Sequence, residues 1–201
     1  MSLAALLLPR LLDRLPDRAV MLPAAGLLGA VLLTFAGLLG GAAWFNGRTF
    51  TPVIVDGTWP TLLATWALLG IGYSAVQTPT GRLLRRSAQP NDRPALFAAQ
   101  FALSHACWLI TYPLAGWLGA AAGILITLGV LGAVTLAGLG LAMVLWPADD
   151  PDVVEHAHAD LRPDHPHLRE HRAHGLRHTH IFVIDDLHQG WPQSNHARSG
   201  S

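Results

Sequence analysis

Charge is missing from most of this chain before residue 149. Between Arg18 and Arg48 there is no acidic or basic residue, and from Gly57 to Gly81 again none. From Pro94 to Ala148 come 55 consecutive positions without Asp, Glu, Lys or Arg, with His105 the one imidazole among them. A water-soluble domain has no means of burying such runs while still presenting a surface, so that class is excluded. Each run meets or exceeds the about 20 apolar residues that cross a bilayer as a helix.

Other scarcities narrow the field. A single cysteine, Cys107, excludes an internal disulfide. The 13 acidic residues balance 13 basic ones, all arginine, so no net field steers nucleic acid to the chain. Phosphate-binding loops, nucleophile–base sets and paired intramembrane carboxylates are absent, so no enzyme activity is expected. The opening "MSLAALLLPRLLDR" lacks a basic residue before its apolar stretch and does not read as a cleaved signal peptide.

What is present reads as an all-α polytopic membrane protein. Four full spans are predicted, at about residues 20–45, 59–78, 95–119 and 121–146, within a transmembrane region 1–148. The last two cannot be one helix, since 55 residues rising 1.5 Å each would be roughly 80 Å long. The "GWLGAAAG" stretch, residues 116–123, is the natural turn between them. Residues 2–9 are apolar but too short to span and read as the end of a fifth helix. Trp44, Trp59, Trp117 and Trp146 fall at span ends, where indoles favour the headgroup interface. Pro79 is expected to end the second span, with Gln77 and Thr78 capping it. Small residues (Gly26, Gly29, Gly37, Gly40 and Gly41 in the first span; Gly129, Ala133 and Ala137 in the fourth) are expected to let helices approach closely. Arg10, Arg14 and Arg18 precede the first span, and Arg82, Arg85, Arg86 and Arg93 lie between the second and third. Arginine-rich loops stay inside, so the expected location is the inner (plasma) membrane, multi-pass, with a cytoplasmic C-terminus.

Two stretches, "PRLLDRLPDRAVM" and "QTPTGRLLRRSAQPNDR", resemble the major facilitator superfamily of secondary transporters. In that family the loops after the second helix of each half carry a pattern close to G-x-x-x-D-R-x-G-R-R. Asp13, Arg14 and Arg18 match its first acid, first arginine and last arginine. Pro9 and Pro16 stand in place of its glycines, and Asp17 in place of an arginine. "SHACWLITYPLAGWLG" is similar to the penultimate helix of such transporters. The resemblance covers roughly residues 1–148. It implies two six-helix halves, of which this chain would hold the end of the eighth helix and the ninth to twelfth. Asp13, Arg14 and Arg18 would then form a gating loop; otherwise the arginines only set topology. The remaining helices would come from missing N-terminal transporter helices or a partner membrane subunit.

Within the third span, Gln100, Ser104, Trp108 and Thr111 fall within about 80° of one another on a helical wheel. His105 and Tyr112 form an adjacent stripe. Polar groups in a span are costly, so these six are candidates for a substrate or proton pathway. Equally, His105 could serve packing alone through a hydrogen bond to a neighbouring helix.

After "LWPADDPD" the composition turns to charge, proline and histidine, and residues 149–201 are expected to be a disordered cytoplasmic tail. Nine histidines lie between His156 and Pro192: His156, His158, His165, His167, His171, His174, His178, His180 and His188. Three H-x-H pairs can each offer two imidazoles on one side of an extended backbone. Imidazole suits a divalent metal (Zn, Ni, Co or Cu), although no cofactor is required. Nickel and cobalt exporters of the same superfamily also end in histidine-rich tails, a likeness of composition. Metal sensing on a cation exporter, adventitious affinity on a transporter of another solute, and a pH-responsive segment all fit. The apolar run Ile181–Ile184 could dock on a partner or on the transporter's own cytoplasmic face.

The expected function is secondary transport of an unknown small solute or cation across the lipid bilayer by a partial chain of the family, with no nucleic-acid partner. The alternative is a small membrane-anchored metal-binding or interaction protein without transport activity.

Overall fold

A computed structural model describes residues 15–45, 58–148, 150–151, 153–158, 161–162, 164–170 and 177–191. Asp13, Arg14 and the predicted helix end at residues 2–9 lie outside the described residues, as do His171 and His174. The elements are α1 Asp17–Phe45, α2 Thr58–Arg86, α3 Arg93–Leu145, β1 Val153–Ala157, α4 Pro166–Glu170 and β2 Arg177–Ile181. Among the described residues, those up to Gly81 together with Ala99–Ala148 form one compact unit. Arg82–Ala98 together with those from Asp150 onward form a second. The boundary therefore does not fall at residue 148 alone: the turn joining α2 to α3 groups with the tail.

In the first unit, α1, α2 and α3 are each long and apolar enough to cross a membrane. The surface of α3 carries Leu109, Val144 and Leu145 at 76%, 82% and 71% exposure, which water would not tolerate and hydrocarbon does. Helix α3 is 53 residues long, yet Gly123 breaks it at φ 81°, ψ 170°. A side chain on Gly119 would sit 4.0 Å from the Thr127 hydroxyl, whereas eight residues of straight helix span about 12 Å. The chain thus reverses at Gly123, at the last residue of the predicted turn stretch. Nothing lies within 4 Å of a Cβ placed there, so backbone conformation alone demands glycine. Gly123→Ala is expected to cost about 1–3 kcal/mol and to lower the melting temperature of the detergent-solubilised chain. Differential scanning fluorimetry reads this, and an unshifted transition would contradict it.

Leucine knobs fill glycine gaps between these helices. A Cβ on Gly29 would meet Leu136 at 2.6 Å, one on Gly132 would meet Leu33 at 2.8 Å, and one on Gly72 would meet Leu28 at 2.9 Å. Gly26, Gly29 and Gly40 of the predicted pattern face a leucine within 4 Å, whereas Gly37, Gly41 and Gly129 face nothing there. Helix α2 does not stop at Pro79 but continues to Arg86. Proline removes the donor that would reach the Ala75 carbonyl; Thr78 and Thr80 donate their hydroxyls to the flanking carbonyls of Ser74 (2.7 Å) and Val76 (3.1 Å). Apolar helices tolerate proline because one lost bond leaves the rest of the ladder intact and small local adjustments absorb it.

The second unit corrects the expectation of a disordered tail for its described residues. Strands β1 and β2 pair antiparallel in a register that sets His156 opposite His178 and Val154 opposite His180. Because strand side chains alternate, one face collects Val154, His156, His178 and His180. Phe182 and Leu168, each 2% exposed, are the buried apolar side chains of this unit. Imidazoles pack where hydrocarbon would normally complete a core.

Candidate metal centre

One ring nitrogen from each of His156, His158, His167, His178 and His188 lies within 4.8 Å of every other. They arrive from different places. His156 and His178 come from paired strands, and His158 follows β1 by one residue. His167 sits in α4, and His188 in the turn after β2. The ring of Phe182 lies against His156 and His188, with centroids 5.1 and 5.0 Å away, and forms an apolar wall.

Partners on the outer nitrogens fix which atoms face inward. His156 Nδ1–H donates to the Val154 carbonyl at 3.1 Å, and His188 Nδ1–H donates to Asp185 Oδ1 at 2.8 Å. Both acceptors lack protons, so both Nδ1 atoms carry hydrogen and each neutral ring holds a lone pair at Nε2. Those two Nε2 atoms stand 2.9 Å apart. Neither nitrogen then has a hydrogen to offer the other, and the two lone pairs face a gap that a cation could bridge. His167 and His178 also place Nε2 atoms 2.9 Å apart, and Nε2 of His158 is buried without a hydrogen bond.

Burial and mutual repulsion favour the neutral form of His156, His158 and His178. Burial, followed by the imidazoles of His156, His167, His180 and His158, pushes His178 down from 6.5 to about 4. Burial lowers His156, against the pull of the Val154 carbonyl, and His180, His188 and His158 add to the lowering. His158 is lowered by burial and by His188 and His180. For Asp185, burial pushes upward, but hydrogen bonds from His188 and Leu187 outweigh it and hold the carboxyl below its ordinary value. Neutral imidazoles beside an ionised carboxylate are the protonation states that metal binding needs.

Of the nine tail histidines named from sequence, five converge, and two near neighbours do other work. His165 accepts from the His167 amide at 3.3 Å, as a cap on α4. His180 rings against His156 and His188 while its Nδ1–H donates to the Ile181 carbonyl at 2.7 Å. Sequence reasoning missed Asp185, although "DDLH" places a carboxylate three residues before an imidazole, the spacing of a closed turn.

The same segment grips the turn between α2 and α3. Ile184 N–H donates to the Arg86 carbonyl at 3.0 Å, Gln89 Nε2 donates to the Asp185 carbonyl at 2.9 Å, and Arg93 reaches the Ile184 carbonyl at 3.4 Å. Arg86, 6% exposed, pairs with Asp150 at 2.7 Å and lies over the Trp191 ring at 5.3 Å. The run Ile181–Ile184 thus meets this chain's own α2–α3 turn.

The polar band of α3 is less convergent. His105 Nδ1 and Ser104 Oγ both donate to the Phe101 carbonyl, at 2.8 Å each, and Thr111 donates to Cys107 at 2.9 Å. Phe101, His105, Trp108 and Tyr112 form a ring ladder with successive centroids 3.9, 4.8 and 6.0 Å apart. Trp108 and Tyr112 are 40% and 67% exposed. Gln100 lies on α3 and is half-buried. Arg18 sits in the first turn of α1, with its Nε buried.

Apolar helices of membrane-crossing length define a multi-pass membrane protein, and its tail carries a histidine cluster that could hold a metal ion. The chain belongs to the Major Facilitator Superfamily, whose family profile matches residues 1–184. It is therefore a membrane transport protein by family. No curated protein and no solved structure matches it.

Proposed function

We propose that the chain serves a secondary transporter working by alternating access, and that its tail holds one first-row divalent cation to which transport responds. The convergence of five inward-facing imidazoles carries this reading. Metal–nitrogen bonds of about 2.1 Å place neighbouring nitrogens about 3.4 Å apart in a tetrahedron but about 3.0 Å apart at a right angle. The two 2.9 Å nitrogen pairs fit the right-angled set, and five ligands exceed a tetrahedral four. Ni2+ and Co2+ therefore suit the centre better than Zn2+. The cation is cargo or signal, and the chain does no bond-making chemistry.

Four spans are assigned by dividing α3 at Gly123, which returns its second arm across the membrane. Arg82, Arg85, Arg86 and Arg93 then lie on the cytoplasmic side of the inner membrane, and the tail's hydrogen bonds to the same turn support a cytoplasmic C-terminus. Asp13, Arg14 and Arg18 serve as the gating loop. Gln100, Ser104, His105, Trp108, Thr111 and Tyr112 serve the solute or proton pathway, completed by helices beyond these residues or by a partner subunit.

Inverted membrane vesicles carrying the protein, energised with a proton gradient, test the reading by uptake of radioactive Ni2+. Uptake well above that of vesicles lacking the protein, and several-fold lower in H156A/H188A, is expected for an exporter. Uptake that never exceeds background, with Ni2+ still bound by the chain, removes the cation as cargo and leaves it as signal. Absence of both uptake and binding overturns the metal reading.

A further inference from the structure

We infer that Asp185 is the positioning residue of the histidine centre and the link through which a bound ion is felt at the turn between α2 and α3. The inference rests on the metal reading above and adds how an ion held there would be read.

Asp185 is bound on both sides. Its Oδ1 accepts from His188 Nδ1 at 2.8 Å and from the amides of Leu187 and His188 at 2.9 Å each. Backbone bonds of 3.1 Å in both directions between Asp185 and His188 close the turn. Three donors on one carboxylate oxygen fix the His188 ring and its tautomer, leaving Nε2 aimed at His156. A carboxylate behind a ligating imidazole both orients the ring and raises its basicity.

On its other side, the Asp185 carbonyl takes the Gln89 side chain, and Ile184, one residue earlier, bonds Arg86 through its amide and Arg93 through its carbonyl. Gln89 lies in the turn and Arg93 at its far end. Every step from Nε2 of His188 to the α2–α3 turn is therefore a hydrogen bond or one peptide unit.

Metal at Nε2 draws electron density from the ring, makes Nδ1–H a stronger donor, and tightens its bond to Asp185. A tightened Asp185 narrows the conformations of residues 184–188 and so of the turn they clasp. Linkage makes the effect reciprocal: a well-formed clasp raises affinity for the ion. The turn joins two membrane-crossing helices, so an ion in the tail biases how those helices meet.

The test is hydrogen–deuterium exchange of the full chain in lipid nanodiscs, with and without saturating Ni2+, beside a Ni2+ binding isotherm. Saturating Ni2+ is expected to slow exchange at least about tenfold at Ile184 and across residues 87–93. D185N, which keeps an acceptor but loses the charge, is expected to weaken Ni2+ binding about 10–100-fold and to abolish the slowing in the turn even when saturated. Q89A, remote from the ligands, is expected to bind Ni2+ within about threefold of the parent while losing much of the slowing at the turn. Tight Ni2+ binding with unchanged exchange at residues 87–93 overturns the link and spares the metal site. Full slowing in saturated D185N overturns the role of Asp185. No binding by the parent chain overturns the reading on which both rest.

Discussion

Replacing His188 by alanine is expected to weaken Ni2+ binding by the full chain more than about 100-fold, whereas His165→Ala weakens it about threefold or less. The contrast separates geometry from composition. A tail that binds metal merely because it is rich in histidine loses about the same affinity whichever imidazole is removed. A centre loses most from the imidazole that is most tightly held. His188 is that residue: its side chain is 2% exposed, Asp185 fixes its outer nitrogen, and its Nε2 faces Nε2 of His156 at 2.9 Å. Loss of a supporting outer partner typically costs 10–100-fold in metal affinity, and H188A removes the ligand as well as that support. A hundredfold loss corresponds to about 2.8 kcal/mol. His165 lies two residues from a ligand but spends its ring on the His167 amide, so its removal frays α4 without subtracting a donor. Isothermal titration of the detergent-solubilised chain and both variants decides the matter. Equal losses in the two variants would return the tail to a compositional binder.

The membrane-crossing character of the body was legible because it follows from missing charge, a property that survives any rearrangement of the helices. The reversal near Gly123 was legible from length, and its position to within the "GWLGAAAG" stretch; which glycine adopts positive φ depends on backbone geometry that spacing does not specify. Pro79 misled because local preference predicts a break, whereas in an apolar helix no water competes for the backbone and the ladder continues on either side of the proline. Gly132 escaped notice because a packing glycine is identified by the leucine opposite it, here Leu33, and no spacing within one helix reveals that. The tail was misjudged for a related reason. Its apolar content looks too small for a core, but five converging imidazoles, two of them (His156 and His188) against Phe182, fill that role. H-x-H spacing paired His156 with His158, which lie in one cluster, yet it gave His165 and His167 equal standing although His165 lies outside that cluster. Pairing of β1 with β2 and the return of His188 through the Asp185 turn are long-range contacts, and these gather five imidazoles out of the nine histidines.

Acidification is expected to dissolve the tail hairpin of the metal-free chain between about pH 6.5 and pH 4. The controlling group is His178, 5% exposed and pushed down from 6.5 to about 4 by burial and by the imidazoles around it. Those facing groups are His156 and His158 from β1 and its end, His167 from α4 and His180 from its own strand; the nearby carboxylate, Asp185, is committed to His188. A depressed imidazole is neutral in the folded form, so its contribution is fully present above the unfolded value and is lost as pH falls toward the folded one. Displacement from 6.5 to about 4 corresponds to roughly 3 kcal/mol. His156 and His158 are displaced in the same direction and add to it. Asp185 is depressed below 3.8, so it stays ionised throughout the window and does not offset the loss. A two-stranded sheet is marginal by itself, and about 3 kcal/mol is more than its reserve. Amide and imidazole resonances of the isotopically labelled chain should therefore show the paired residues 153–157 and 177–181 at pH 7.5 and unpaired shifts at pH 4.5, reversibly. Saturating Ni2+ should move the midpoint to lower pH, because an ion at 100 times its dissociation constant adds about 2.7 kcal/mol to the state that binds it. Pairing that persists at pH 4.5 without metal would mean that the imidazoles reach water, and a hydrated cluster of that kind would not present the desolvated, neutral donors on which the centre depends.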